Sequence, residues 1–179
     1  MADQPFQLDE LYAAIELHIN NHLPGLAYVG TMPDMLKHID LPAVVIEVAE
    51  FEPGTDLGTG ETSLVLRLEA RVIIGAETED CQKLAAWSAA QLAILLRIQH
   101  WGLEVGAAQF ERAGQDWSRP ELDSYVVWVV EWTQGVYLGE EEWPWPVQPP
   151  GSLVWGIHPD VGPGHEPDYV PADQLGDLP

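Results

Sequence analysis

The sequence predicts an α+β domain with a mainly antiparallel sheet and a long helix packed on one face, followed by a Pro-rich extended C-terminal arm. Three observations lead to this expectation. Hydrophobic patterns follow one another in the order helix, strand, strand, helix, strand, strand. The chain of 179 residues is 46% hydrophobic and 20% charged, which is enough to build one sizeable core. Composition changes sharply at position 143, so we expect a core domain over 1–142 and an arm over 143–179.

The first half of the core domain predicts a helix and a hairpin. Apolar residues recur at steps of three and four from Asp9 to Leu23, which predicts an amphipathic helix. A β-branched run over Leu41–Phe51 predicts a strand. The glycines of Pro53–Gly60 indicate a hairpin loop, and clean alternation over Ser63–Ile74 predicts the returning strand.

The second half predicts a long helix and a second hairpin. Leucine, tryptophan and alanine side chains surround the segment from Asp80 to about Trp101, which Gly102 closes. A helix this apolar around its circumference is expected to be covered on more than one side. Strands follow at Ala107–Asp116 and Ser124–Leu138. The last strand is apolar on both faces, so we expect it to be central in the sheet or sandwiched.

The segment 143–179 combines many prolines with large apolar side chains. It holds nine of the chain's fifteen prolines and neither lysine nor arginine. Proline at this density excludes a helix or an inner strand, yet each aromatic ring offers roughly 150–250 Å² to bury. That surface comes either from the core domain of the same copy or from a neighbouring copy, and the sequence leaves both open. The candidate interface residues are Trp143, Trp145, Trp155, Ile157 and Tyr169 in the arm, together with Trp87 on the long helix.

The charge balance excludes some partners. There are 29 acidic and 7 basic residues, a formal net charge of −22, and no basic residue follows Arg119. Such a chain does not hold phosphate backbones by neutralising them, so we expect no tight nucleic-acid binding and no attraction to anionic membranes. Glu140, Glu141 and Glu142 follow the last strand. They form either a solubilising surface or, in an oligomer, an acidic ring that lines a lumen.

No motif of catalysis or cofactor binding is present in the sequence. The glycine-rich loop lacks the Lys-Ser/Thr ending of a phosphate loop, and neither a nucleophile elbow nor a zinc-protease motif occurs. The single cysteine, Cys81, excludes an internal disulfide. His18 and His22 have metal-ligand spacing without a third ligand nearby, and His158 and His165 lie in a polar turn series. We therefore expect no catalytic residue, metal, cofactor, secretory signal or membrane span.

The chain as a whole resembles the tail terminator proteins of long-tailed bacteriophages, in the Mu-like and lambda-type group. The resemblance lies in the order of elements and in their texture. It rests on the first helix, the strands at Leu41–Glu47 and Leu66–Val72, the alanine-rich helix, and the closing segment Gly156–Val170.

This resemblance implies a structural virion protein that is not an enzyme. Its copies would form a ring, expected to be a homohexamer, that caps the tail tube and joins it to the neck and head. Its partners would be the tail tube protein and the neck or head-completion proteins. The resemblance also implies assembly in the host bacterial cytoplasm and passage of DNA through an acidic lumen. Head–tail connectors and other neck or tail completion proteins share the same texture and form the first alternative.

Two further classes of function remain open at the level of sequence. One is a small-molecule-binding protein or an enzyme that uses the arm as a lid. The other is an acidic inhibitor that mimics DNA, although the strands alternate with valine, leucine and tryptophan instead of presenting dense rows of carboxylates.

Overall fold

The structure, a computed structural model, describes residues 6–33, 39–140, 154–156, 159, 161–162, 164–165 and 169–171. The chain divides into two compact units, Met1–Trp143 and Pro144–Pro179. The first unit confirms the predicted α+β class. Its elements are α1 (Leu8–His22), β1 (Tyr28–Gly30), β2 (Ala43–Pro53), β3 (Thr62–Gly75), α2 (Cys81–Leu95), β4 (Gln109–Gln115), a short 3-10 helix (Pro120–Leu122) and β5 (Tyr125–Leu138).

Five strands form one mixed sheet in the order β1-β2-β3-β5-β4. The pairs β2–β3, β3–β5 and β4–β5 are antiparallel, and the central pair runs in continuous register from Thr62 opposite Leu138 to Gly75 opposite Tyr125. β5 therefore lies between β3 and β4, as its two apolar faces predicted. The short strand β1 pairs in parallel with β2 and was not predicted, because three residues in a turn-rich stretch carry no periodic signal.

Both helices pack on the same face of the sheet. α2 lies over β3 and β5, while the Tyr12 hydroxyl of α1 accepts a hydrogen bond from the Val48 amide of β2 at 3.0 Å. Alternate residues of β3, from Leu66 to Ile74, point into this core and are fully buried. The helices contribute three buried apolar residues each, namely Leu11, Ile15 and Ile19 from α1 and Ala85, Ala89 and Leu92 from α2.

α2 is shorter than the sequence predicted. It ends at Leu95, whereas the apolar pattern indicated a helix as far as about Trp101. Ile98 and Trp101 both adopt φ of 57°, a left-handed conformation that stops a helix. Tertiary hydrogen bonds favour this path, because the Trp101 indole donates to the buried Gln134 Oε1 at 2.8 Å. The Gln134 amide in turn donates to the Gly106 carbonyl at 2.8 Å, which holds the chain after α2 against β5.

The second unit contains a small antiparallel ladder, so its described part folds back on itself and is not simply an extended arm. β6 (Val154–Trp155) pairs with β7 (Val170–Pro171). Gly156 lacks a Cβ where one would lie 2.8 Å from the Tyr169 ring, so the ring packs directly on the backbone. The Tyr169 hydroxyl accepts a hydrogen bond from the Gly162 amide at 3.0 Å.

The face of the sheet opposite the helices carries a buried charge cluster in its middle. The guanidinium of Arg71 on β3 pairs with Glu47, Glu69 and Asp116, and its side chain is only 5% exposed. Arg119 also pairs with Glu47. The Arg71 Nε–Asp116 distance is 2.7 Å. We call these residues the Arg71 cluster.

Burial and ion pairing shift the pKa values of Arg71 and Asp116 in opposite directions. Burial alone would lower the pKa of Arg71, but its hydrogen bond to Asp116 and the charges of Glu47 and Glu69 raise that pKa above its ordinary value. For Asp116, burial would raise the pKa, but hydrogen bonds from Ser118 and the guanidinium of Arg71 lower it. Both groups therefore stay charged across the neutral range.

We predict that Arg71→Met destabilises the fold by about 3–5 kcal/mol, because it leaves the partly buried Glu69 and Asp116 without their shared counter-ion. The matched control is Lys83→Met, since Lys83 is 81% exposed and pairs only with exposed Asp80. That change should alter the free energy of unfolding by less than about 1 kcal/mol. Urea unfolding of both variants measures the difference, and equal stability of the two would refute the structural role of the cluster.

Candidate assembly interface

An exposed row of large side chains runs along the outer side of α2. Leu84, Trp87, Gln91 and Ile94 follow one another at steps of three, four and three, so they share one side of the helix. Trp87 is 64% exposed and Ile94 is 65% exposed. We call these four residues the α2 seam. Their spacing is that of the a and d positions through which helices pack on one another, with a single polar residue among them.

The α2 seam arises from an unequal distribution of side-chain size around the helix. The side that faces the sheet buries Ala85, Ala89 and Leu92, and the two alanines let the helix approach the strands closely. The larger Trp87 and Ile94 therefore point away from the core. We expected α2 to be covered on more than one side; among the described residues, only the sheet side is fully buried.

A depression lies beside the end of α2, on the flank toward the edge strand β4. Its volume is about 280 Å³. Ile98 is 68% exposed and Phe110 of β4 is 50% exposed, so large apolar side chains form its rim. We call this depression the Arg97 groove, and its lining consists of Ala93, Leu96, Arg97, Ile98, Ala107, Ala108, Gln109 and Phe110.

Arg97 differs from the other basic residues in the described part of the chain. Arg67, Arg71, Lys83, Arg112 and Arg119 each have a carboxylate within 4.0 Å. No such ion pair involves the exposed side chain of Arg97 among the residues that the structure describes. A cation beside exposed apolar side chains therefore stands available to an anionic group from elsewhere.

The structure places some of the residues that the sequence singled out. Trp87 is exposed on the α2 seam, and Trp155 is 49% exposed on β6. Tyr169 is partly buried against Gly156. Glu140 is exposed directly after β5. The remaining predicted residues, Trp143, Trp145, Ile157, Glu141 and Glu142, lie outside the described residues.

The sequence did not predict an interface role for Ile94, Arg97, Ile98 or Phe110. The three-and-four spacing of the α2 seam was present in the sequence, but the pattern was interpreted as core because nearly the whole helix is apolar. The hairpin of β4 and β5 was predicted, but the position of Phe110 beside the end of α2 depends on the register of that pairing and on where α2 ends.

His18 and His22 of α1 form a stacked pair, with ring centroids 4.2 Å apart. His22 Nδ1 lies 2.8 Å from the His18 carbonyl, to which it donates. The Trp101 ring contacts His18 edge-on at 5.3 Å between centroids. No cluster of three or more metal-ligating side chains occurs within the described ranges. His18 thus packs α1 against the chain that follows α2.

A second, open depression of about 380 Å³ lies in the β2–β3 loop. Its lining is polar and glycine-rich, and Asp56 and Glu61 are its ionisable residues. Thr62 and Ser63 add hydroxyl groups to the lining, but no histidine, lysine or cysteine is among the lining residues to activate them. None of the helices in the described part of the chain is long and apolar enough to cross a lipid bilayer.

No protein-family model matches the sequence, and no curated protein matches it either. Functional interpretation therefore depends on the surfaces described above.

We predict that the fold loses stability as pH falls below about 6.5 because of His18. Burial, and then the charge of His22, lower the pKa of His18 below its ordinary value of 6.5. The unfolded chain binds this proton more readily than the folded chain, so the contribution of neutral His18 is present above pH 6.5 and is lost as pH falls through the folded-state pKa. Urea unfolding at about pH 7.5 and about pH 5.5 should show a smaller pH dependence for His18→Gln than for the wild type. An unchanged pH dependence would contradict the assignment.

Proposed function

We propose that this protein is a structural virion subunit of the tail terminator kind, whose copies form a ring that caps the tail tube and joins it to the neck. The observation that carries the proposal is the α2 seam, an exposed helix face with coiled-coil spacing in a chain that resembles such proteins. Exposed apolar surface in this arrangement is typical of an interface between proteins. The same surfaces fit a head–tail connector, which differs in its partners and not in its chemistry.

Packing of the α2 seam against a neighbouring copy would remove Trp87 and Ile94 from water. A fully buried side chain of this size stabilises an interface by roughly 1.5–3 kcal/mol. Gln91 in the middle of the seam adds specificity, since a polar residue at such a position favours the register in which it finds a partner. A closed ring needs two unlike complementary surfaces on each copy, and the seam supplies one of them.

The charge distribution suits a conduit that DNA passes through without adhering. Five basic residues in the described part are already paired with carboxylates of the same chain, so they are not free to bind phosphates. Glu140 follows the end of β5 that pairs with the start of β3. That end of the sheet also carries the β2–β3 loop with Asp56 and Glu61. Repeated around a ring axis, these carboxylates would form an acidic lumen.

We predict that the purified chain, alone or with its tail tube partner, forms a closed ring, expected to hold six copies. The double substitution Trp87→Ser with Ile94→Ser should reduce self-association by at least about tenfold, because it removes the apolar side chains of the α2 seam. Native mass spectrometry and analytical ultracentrifugation measure both results. Since both side chains are exposed, the unfolding midpoint of the isolated chain should change little.

Leu17→Ser provides the control for this experiment. Leu17 is 63% exposed on α1, a different helix from the one that carries the seam, so its loss should leave assembly unchanged. A wild-type chain that remains strictly monomeric at tens of micromolar, both alone and with tube protein, would refute the proposal.

We further predict that changing Glu140, Glu141 and Glu142 together to lysine impairs genome passage without preventing assembly. Lysines around a lumen would hold the phosphates of the passing DNA. Electron microscopy should find particles with tails attached, and plaque assays should show reduced infectivity. Normal infectivity of such particles would move the triplet to an outer surface and remove the lumen from the proposal.

A further inference from the structure

We infer that the Arg97 groove is the docking site for the C-terminal unit, Pro144–Pro179, of a neighbouring copy. Trp155 would cover the apolar rim, and a carboxylate of the same unit would pair with Arg97. The inference rests on the proposed function, because the groove and the C-terminal unit would be two unlike, complementary surfaces of the kind that a ring requires.

The shape of the groove favours a protein side chain as its occupant. Its volume of about 280 Å³ is at the small end for a pocket that encloses a whole cofactor or drug-sized ligand. The lining combines the exposed apolar side chains of Ile98 and Phe110 with the guanidinium of Arg97. A planar guanidinium pairs well with a carboxylate and also stacks on aromatic rings. The lining of the groove therefore favours an occupant with an aromatic side chain next to an anionic group.

The C-terminal unit has both of these properties. The segment 143–179 contains no lysine or arginine, and its sequence includes five carboxylates. Its described part exposes Val154, Trp155 and Val161. Trp155 lies opposite Val170 in the β6–β7 ladder, and Tyr169 next to it packs on Gly156. The carboxylates are Asp160, Glu166, Asp168, Asp173 and Asp177.

Charge also separates this occupant from other surfaces of a second copy. The formal net charge of −22 means that two copies repel each other in general, so a cation at the contact is needed to offset this repulsion. Arg97 has no ion pair with any carboxylate in the described part of the chain. Pairing it with the neighbour's anionic unit places opposite charges where the copies meet.

Cross-linking between isotopically distinct copies tests the inference. The full chain would carry Gln109→Cys in the groove and Val154→Cys beside Trp155, with Cys81→Ser to remove the natural thiol. Both new positions are exposed. Equal amounts of nitrogen-15-labelled and unlabelled protein would be mixed, dissociated and reassembled, and then treated with a short bismaleimide. We expect about half of the linked peptide pairs to join a labelled to an unlabelled peptide, as random pairing between copies requires.

Charge reversal provides the second arm. Arg97→Glu should weaken self-association at least about tenfold and remove the mixed cross-links. Lys83→Glu is the matched control, because it makes the same charge change at an exposed residue of α2 that lies outside the groove. It should leave both readouts close to those of the wild type.

The outcomes separate the inference from the proposed function. Cross-links confined to single copies would show that the groove takes the C-terminal unit of its own chain and would overturn the inference. A ring that assembles without cross-links at these positions would also overturn the inference. So would a ring that Arg97→Glu and Lys83→Glu weaken equally. In both cases the proposed function would stand. A chain that never assembles would instead refute the proposed function.

Discussion

The buried pairing of Arg71 with its carboxylates is the constraint on which the arrangement of the fold depends. Arg71 stands on the central strand β3, and its partners come from β2, from β3 itself and from the end of β4. A face occupied by these charges cannot accept an apolar helix, because a helix there would bury the carboxylates without water. Both helices therefore pack on the opposite face. On the charged side, a smaller apolar cluster around Val45 and Ile73 covers only one end of the sheet.

The position of both helices on one face determines which side chains remain exposed. α2 lies over the two central strands and approaches them through Ala85 and Ala89. Small residues at this contact leave no space there for the larger residues of the helix, which consequently form the outer α2 seam. The helix is thus more apolar than its own domain requires. Apolar side chains on the outer side of a helix are favoured in an assembly, where that side also becomes buried.

Gln134 connects the core to the second candidate surface. Its amide is buried within β5, and both ends of the amide are satisfied, by the Trp101 indole on one side and by the Gly106 carbonyl on the other. These bonds stop α2 at Leu95 and turn the chain so that Ile98 and Arg97 lie beside the first residues of β4. The amide of Gly106 also donates to the Gly135 carbonyl at 2.7 Å, a close approach that the missing side chain of Gly106 permits. The Arg97 groove therefore depends on a polar contact inside the core.

The sequence alone determined the class of the fold, because periodicity reports which side chains must be buried. Alternation in Ser63–Ile74 and the two apolar faces of Ser124–Leu138 identified the central strands, which the structure has as β3 and β5. Composition alone also established the separate character of 143–179 and the strong negative charge. Only the tertiary structure decided where α2 ends. Ile98 and Trp101 adopt left-handed backbone angles, and the Trp101 indole donates a hydrogen bond to Gln134, more than thirty positions away. The tertiary structure likewise decided that Trp87 faces outward and that Arg97 and Phe110 line the same groove, because these positions depend on strand register and on how α2 packs on the sheet.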